Sequence, residues 1–321
     1  MLKNETLLLT GGSGFLGSQI AETLKDQYEI TLLQRSEPGA EQRMFSFIQC
    51  DLAEQEIPAE KRNKWDLVVH AAGRAHIFGK EEPEELFYKV NGSGTRNLLN
   101  SIRKHPPEQF VYISSVAVYG AEEGEEIDES HPLRAADPYG LSKIQAEKEV
   151  LKWSEETGAP AVILRPALIA GHNPPGNLGR MMEAIQNGKY LRIGRGEAKK
   201  SIVLADDIAE LISGLSGTTG IFNLSDGNSS TFCELENAIA GRFNKKIRSI
   251  PKPAALIIAG FGSVVNSVQN RFRFPLDLAV YRKITKSLTF SSEKAKRDLH
   301  WNPENTVEKM RRSAVPDEGR G

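Results

Sequence analysis

The sequence predicts an α/β fold, a doubly wound parallel sheet with a smaller C-terminal α/β lobe. Three observations carry that reading. Short apolar runs rich in β-branched residues alternate with longer amphipathic runs through the first half of the chain. A glycine-rich turn, "TGGSGFLG" (10–17), joins the first strand-like run to the first helix-like run. The rhythm then breaks at the Pro/Gly-rich "GHNPPGN" (171–177), after which segments are shorter, with glycines clustered at 194–196 and 214–220. Repeated β-α alternation implies a parallel sheet covered on both faces, because crossover helices lie across it.

Taken in order, "TLLLT" (6–10), "EITLL" (29–33), "FSFIQ" (45–49), "DLVVH" (66–70), "FVYIS" (110–114) and "AVILR" (161–165) are the expected buried strands. "FLGSQIAETLKDQ", "PEELFYKVNGSGTRNLLNSIRK" and the run from Tyr139 are expected helices. The last begins at "DPYGLSK" (137–143), where Asp137 suits the N-cap and Pro138 the first helical position. The expected organisation is one domain over 1–170, a lobe over 171–312 from which part of 200–225 returns to the sheet, and a flexible tail over 313–321.

Composition excludes several classes. A formal charge of −1 gives no electrostatic reason to expect nucleic acid or an anionic membrane as partner. Cys50 and Cys233 stand far apart without a CxxC pattern, which argues against a disulfide framework or zinc site and fits a reducing cytoplasm. The start "MLKNETLLLTGG" lacks the apolar core of a signal peptide, so no targeting segment is expected. "AALIIAGFGSVVNSV" (254–268) is too short and interrupted to span a bilayer. It is expected to be a packed helix, with an interfacial membrane contact as the alternative. His70 closes a buried strand and is expected to be a satisfied core residue, and the other histidines show no metal-ligand spacing.

The glycine turn points to a dinucleotide. Gly11 permits the tight turn, Gly14 lets the backbone approach a pyrophosphate, and Gly17 allows close helix–strand packing. The helix N-terminus then offers unpaired N–H groups and a positive dipole to phosphate. An Asp or Glu at the end of the second strand would hold the ribose 2′-hydroxyl of NAD, but this chain has Gln34, Arg35 and Ser36 there. No carboxylate repels a 2′-phosphate and Arg35 could pair with one, so NADP is expected, with NAD as the alternative.

The ordered set "TGGSGFLG", "CDL" (50–52), "HAAG" (70–73), "VNGSGTRNLL" (90–99), "ISSVAVYG", "PYGLSK", "LRPALIAG" and "SSEKAKRDLHWNP" (291–303) resembles the extended short-chain dehydrogenases/reductases. It is most similar to their nucleotide-sugar epimerase/dehydratase branch, over nearly the whole chain. The resemblance implies a Rossmann-type sheet with Tyr139 as catalytic acid/base, Lys143 as its partner and Ser115 as hydrogen-bond donor to the reacting oxygen. It implies cofactor contacts from Gly11, Ser13, Gly14, Phe15, Leu16 and Gly17 in the turn. Arg35, Ser36, Asp51, Leu52, Ala71, Ala72, Gly73, Ser114, Tyr139, Lys143 and Pro166 complete the implied cofactor site, and Asn91 would brace the active-site helix. Independently, residues four apart on a helix share one face, and an ammonium beside a phenol stabilises tyrosinate and lowers its pKa from near 10.

The resemblance also narrows the reaction. Dehydratases carry an Asp-Glu pair after the strand-five hydroxyl residue, and 3,5-epimerase/reductases a cysteine; here Val116 and Ala117 follow Ser115. What remains is hydride transfer at C4 of a nucleotide-diphosphate sugar. Reduction of a 4-keto sugar by NADPH is the expected reaction, and 4-epimerisation with bound NAD is the alternative. A ketone or aldehyde reductase without a nucleotide substrate, and a non-catalytic dinucleotide-sensing module, are further readings. Asn177 and Leu178 match the helix start that contacts the nucleotide in relatives, and Lys200 stands where they carry an arginine to the diphosphate. Arg192 and Arg195 could supplement it. Arg74 and His76 lie just past the fourth strand, where a sugar contact is expected, together with Ser115. The resemblance offers a homodimer as the candidate assembly and surface-polysaccharide synthesis as the setting.

Overall fold

A computed structural model describes residues 5–75, 83–268, 274 and 276–312. Its central sheet has seven parallel strands: β1 (Glu5–Thr10), β2 (Tyr28–Gln34), β3 (Ser46–Gln49), β4 (Leu67–His70), β5 (Gln109–Ile113), β6 (Ala161–Pro166) and β7 (Gly220–Leu224). They stand in the order β7-β6-β5-β4-β1-β2-β3, the Rossmann-type arrangement the sequence implies. All six expected strands are present. The register of β1 places Leu9 opposite Leu32 of β2 and Val69 of β4.

Alternate residues of each strand feed two cores. Leu7 and Leu9 pack on one face with Leu16, Ile20 and Leu24 of α1 (Phe15–Leu24). Leu8, Val68, Phe110 and Ile163 face the other way. There they meet Leu98 and Ile102 of α2 (Gly94–Ile102), and Val150 and Trp153 of α3 (Pro138–Thr157). Each such large side chain withdrawn from water stabilises the fold by about 1.5–3 kcal/mol. The run ahead of α2 is wound as a π-helix over Tyr88–Ser93, which carries Asn91 into the interior.

The start of α3 follows its sequence closely. Asp137 accepts a hydrogen bond from the Gly140 N–H at 3.1 Å, and Pro138 stands in the first turn. The helix stops at Gly158, whose φ of 71° is in the left-handed region that favours glycine.

A second, four-stranded sheet runs Ser230–Thr231, Lys199–Lys200, Leu288–Phe290, Gly124–Ile127. Of the later helices, α4 (Gly176–Gln186) and α6 (Phe232–Arg242) share a separate core through Leu178, Met182, Leu235 and Ile239, whereas α5 (Ala205–Ile212) packs beside α1 on the main sheet, with Ile208 and Ile212 in the core of Leu7 and Leu9. The proposed division at residue 170 is therefore crossed by the strand Gly124–Ile127, which pairs with Leu288–Phe290. The proposed tail, 313–321, lies outside the described residues.

Candidate active site

The glycine turn forms a tight cradle. Gly11 has φ 74°, and a Cβ on it would come within 2.6 Å of the Ala72 nitrogen. A Cβ on Gly17 would lie 2.0 Å from the Gly11 carbonyl oxygen, so α1 rests directly on the turn. The first turn of α1 has neither a side-chain cap nor an acidic residue, which leaves its N–H groups to an anion. Ser13 and Gly14 are exposed on the turn, Phe15 is partly buried, and Leu16 packs in the core beneath.

At the end of β2, Gln34 is buried, and its Oε1 has no hydrogen-bond partner among the described residues. Arg35 and Ser36 are exposed. An orphaned acceptor suits the O–H of a ribose, so this cradle and strand end fit a dinucleotide. Asp51 uses Oδ1 to accept the Ala53 N–H at 3.0 Å, and Leu52 is buried with its carbonyl held by Asn97 Nδ2 at 2.8 Å. Ala71, Ala72 and Gly73 continue β4, and the Ala72 N–H donates to Thr10 Oγ1 at 3.1 Å.

His70 is a core residue, its ring held between Thr10 Oγ1 at 2.7 Å and Thr95 Oγ1 at 2.9 Å. Burial, with the Lys143 charge second, pushes its pKa down to about 3, so the ring is neutral. Asn91 takes the Arg74 N–H at 2.7 Å, and its Nδ2 donates to the Arg74 carbonyl at 3.0 Å and to Ser142 Oγ at 2.8 Å. It thereby ties the β4 loop to α3. His76 lies outside the described residues.

The end of β5 and the start of α3 bring the expected trio together. Ser115 opens a 3₁₀ turn, Val116–Tyr119, with its Oγ accepting the Ala117 N–H at 3.2 Å. Its hydroxyl is hydrogen-bonded to the Tyr139 phenol. Lys143 is 4% exposed, donates to the Ile113 carbonyl at 2.8 Å and stands 4.8 Å from the Tyr112 ring centroid. Burial pushes its pKa down to about 8, with Glu147 pulling it back up. A Cβ on Gly73 would lie 3.1 Å from its Nζ, so the β4 loop passes directly over the ammonium.

One expectation is corrected here. Tyr139 sits above its ordinary value, not below it: burial raises it, the Ser115 hydrogen bond lowers it, and Asp137 raises it. Desolvation is the largest influence on the phenol, and Lys143 directs one of its three N–H donors to the Ile113 carbonyl.

Behind the trio lies a buried network that the sequence reading missed. Ser114 Oγ donates to Glu147 Oε1 at 2.5 Å and its backbone N–H to the Leu164 carbonyl at 2.7 Å, so both of its donors are committed within the protein. Arg165 grips Glu147 with two bonds of 2.9 and 2.6 Å and donates to the Tyr119 hydroxyl at 2.9 Å. Tyr119 passes the chain on to Asn223 Oδ1 at 2.7 Å. Glu147 stands four residues after Lys143, on the same face of α3, which was the available signal. Pro166, next to Arg165, is buried and has only backbone to offer.

On the lobe side, Asn177 is exposed at the start of α4, whereas the Leu178 side chain packs with Met182 and Ile185. A ligand could meet Leu178 only through its backbone. Lys200 is pushed down to about 8 by burial and then by the Lys283 charge, so two lysines converge there. Arg192 is not available as a supplement: it is ion-paired with the buried Glu236 and donates to Asn237 at 2.6 Å. Arg195 is exposed. Among the described residues no His, Cys, Asp and Glu cluster could hold a metal.

The glycine cradle and the gathered Ser115, Tyr139 and Lys143 fit a dinucleotide-dependent enzyme. The chain belongs to the NAD dependent epimerase/dehydratase family, which matches residues 7–218. It is 30% identical over 263 residues to the N-acetyl-alpha-D-glucosaminyl-diphospho-ditrans,octacis-undecaprenol 4-epimerase of Escherichia coli O157:H7, covering 80% of this chain and 78% of the relative. It is 26% identical over 319 residues to the UDP-glucose 4-epimerase of Vibrio cholerae, covering 95% and 92%. Its fold is similar to that of the Thermus thermophilus UDP-glucose 4-epimerase in complex with NAD, with TM-score 0.73, 24% identity and coverage of 96% and 97%.

Proposed function

We propose that this chain inverts C4 of a sugar held through a diphosphate, using NAD that is not consumed. The observation that carries the reading is a single acid–base group, Tyr139, hydrogen-bonded to Ser115 and followed in that turn by the inert Val116 and Ala117. Such a site is equipped for hydride and proton exchange at one carbon and lacks side chains for moving protons at C5 or C6. The expected 4-keto reduction with NADPH gives way to the epimerase alternative, because both relatives above are 4-epimerases. The buried, unpartnered Gln34 Oε1 supports a ribose 2′-hydroxyl, hence NAD, over the 2′-phosphate expected at the exposed Arg35.

NAD, when bound, supplies a hydride acceptor that takes the C4 hydrogen and gives it back. Tyr139 removes the O4 proton as the C4 hydrogen leaves and returns it when the sugar is reduced on its other face. Ser115 donates a hydrogen bond to that oxygen and holds it beside the phenol. Lys143, with a pKa of about 8, is mostly charged at pH 7 and stabilises the tyrosinate in a water-poor site. Lys200 and Lys283 supply positive charge for the diphosphate.

The test uses purified protein with no added dinucleotide. UDP-N-acetylglucosamine, UDP-glucose and N-acetylglucosaminyl diphosphoundecaprenol are each incubated, and the sugars are separated by stereochemistry. The C4 epimer of at least one is expected to accumulate to an equilibrium ratio. No epimer from any of the three, together with stoichiometric NADPH loss in a parallel assay that adds NADPH and a 4-keto sugar, contradicts the proposal.

A further inference from the structure

The helix α7 (Lys252–Val268) turns its small residues inward and its large ones outward. Ala255 and Ala259 are fully buried, and a Cβ on Gly262 would lie 2.1 Å from the Leu276 carbonyl oxygen. These small residues let α8 (Leu278–Thr285) and its lead-in approach closely. Ser263 Oγ accepts the Leu278 N–H at 2.9 Å, and Asn266 Nδ2 donates to Asp277 at 3.2 Å, closing that contact. The opposite face holds Leu256, Ile257, Phe261 and Val264, which are 47%, 74%, 63% and 61% exposed. An ordinary surface helix does the reverse, burying its large apolar stripe. A contiguous exposed stripe of this kind marks an interaction surface.

Charge identifies what the surface fits. Between Lys245 and Lys286 the sequence has nine Lys or Arg and one acid, Asp277, in a chain whose total is −1, with Lys252 and Lys286 ion-paired to Glu197 and Glu123. Asp277 is buried and spent on capping α8 at the Val280 N–H, 2.8 Å away. Lys245, Lys246, Arg248, Arg282 and Lys283 are exposed on the flanking segments. An apolar strip rimmed by cations complements an anionic lipid surface, and it opposes self-association, which would bring two such basic rims together. No helix among the described residues is long and apolar enough to cross a membrane, so the contact is peripheral.

We propose that α7 docks this protein on an anionic bilayer, its large side chains entering the acyl boundary and its basic rim meeting lipid phosphates. α8 packs on α7 and carries Lys283, which faces Lys200. The docked face therefore adjoins the end of the site assigned to the diphosphate. That last placement rests on the function proposed above; the docking does not.

The experiment is flotation of the full chain with vesicles of phosphatidylglycerol and phosphatidylethanolamine, against vesicles of phosphatidylcholine alone. Wild-type protein is expected to float with the anionic vesicles, and less so as salt rises. The double variant Ile257→Ser/Phe261→Ser should bind about tenfold less or weaker, while keeping its thermal transition and its turnover of a water-soluble substrate. Lys245→Glu/Lys246→Glu should reduce binding most at low salt. Wild-type protein that stays out of the vesicle fraction overturns the proposal, as does a serine variant that floats equally well. A dimer that the serine variant converts to monomer, without flotation of either, assigns the face to a second copy and also overturns it. Flotation does not depend on turnover, so failure of the epimerase reading would leave this result interpretable.

Discussion

Replacing Tyr139 by phenylalanine is expected to lower turnover by roughly 10²–10⁴-fold, the range for removing a general acid/base, while NAD retention stays at the wild-type level. The substitution keeps the ring and removes only the transferable proton. Lys143 keeps its bond to the Ile113 carbonyl, and the β4 loop stays over it, so the neighbouring geometry survives. Steady-state rates report the chemistry, and native mass spectrometry of the purified variant reports the dinucleotide. Turnover near wild type would remove Tyr139 from the role proposed for it. Loss of the dinucleotide together with turnover would make its contribution structural.

Glu147→Ala is expected to destabilise the protein by about 3–5 kcal/mol, because it leaves the Arg165 guanidinium buried without its partner. Both residues are 2% exposed, and Glu147 also accepts the Ser114 hydroxyl. Urea unfolding measures the cost, and the double variant Glu147→Ala/Arg165→Met should cost clearly less than the sum of its parts. The milder Glu147→Gln carries the functional consequence. A carboxylate near Lys143 favours the ammonium, so its removal lowers that pKa below about 8. Activity that needs the charged lysine should then fall away at lower pH than in wild type. An unshifted alkaline limb would show that Glu147 acts on the fold alone.

Much of the fold was legible because parallel strands buried on both faces are continuous apolar runs, as "TLLLT" and "DLVVH" are. The glycine turn and the Asp137-Pro138 helix start were readable because each residue there meets a local backbone demand. The strand Gly124–Ile127 was not readable: "GEEI" is short and acidic, and it is a strand only because Leu288–Phe290, far along the chain, pairs with it. Glu147 and Arg165 meet across two elements, so their pairing depends on how α3 lies over β6. In "AALIIAGFG" apolar residues surround the helix, and sequence could not say which face would be buried. Close approach of α8 chose the small one. The Tyr139 pKa depended on the balance between burial and a neighbouring charge, and spacing on a helix fixes only the second.

The central claim is that hydrogen leaves C4 and returns to the same carbon without entering solution. The most direct measurement follows a substrate deuterated at C4, turned over by protein purified without added dinucleotide. Mass spectrometry and proton spectra of the product are expected to show the opposite C4 configuration with deuterium still at C4. Loss of the label into a freely exchanging dinucleotide pool, with the 4-keto sugar accumulating and no epimer formed, would contradict the account.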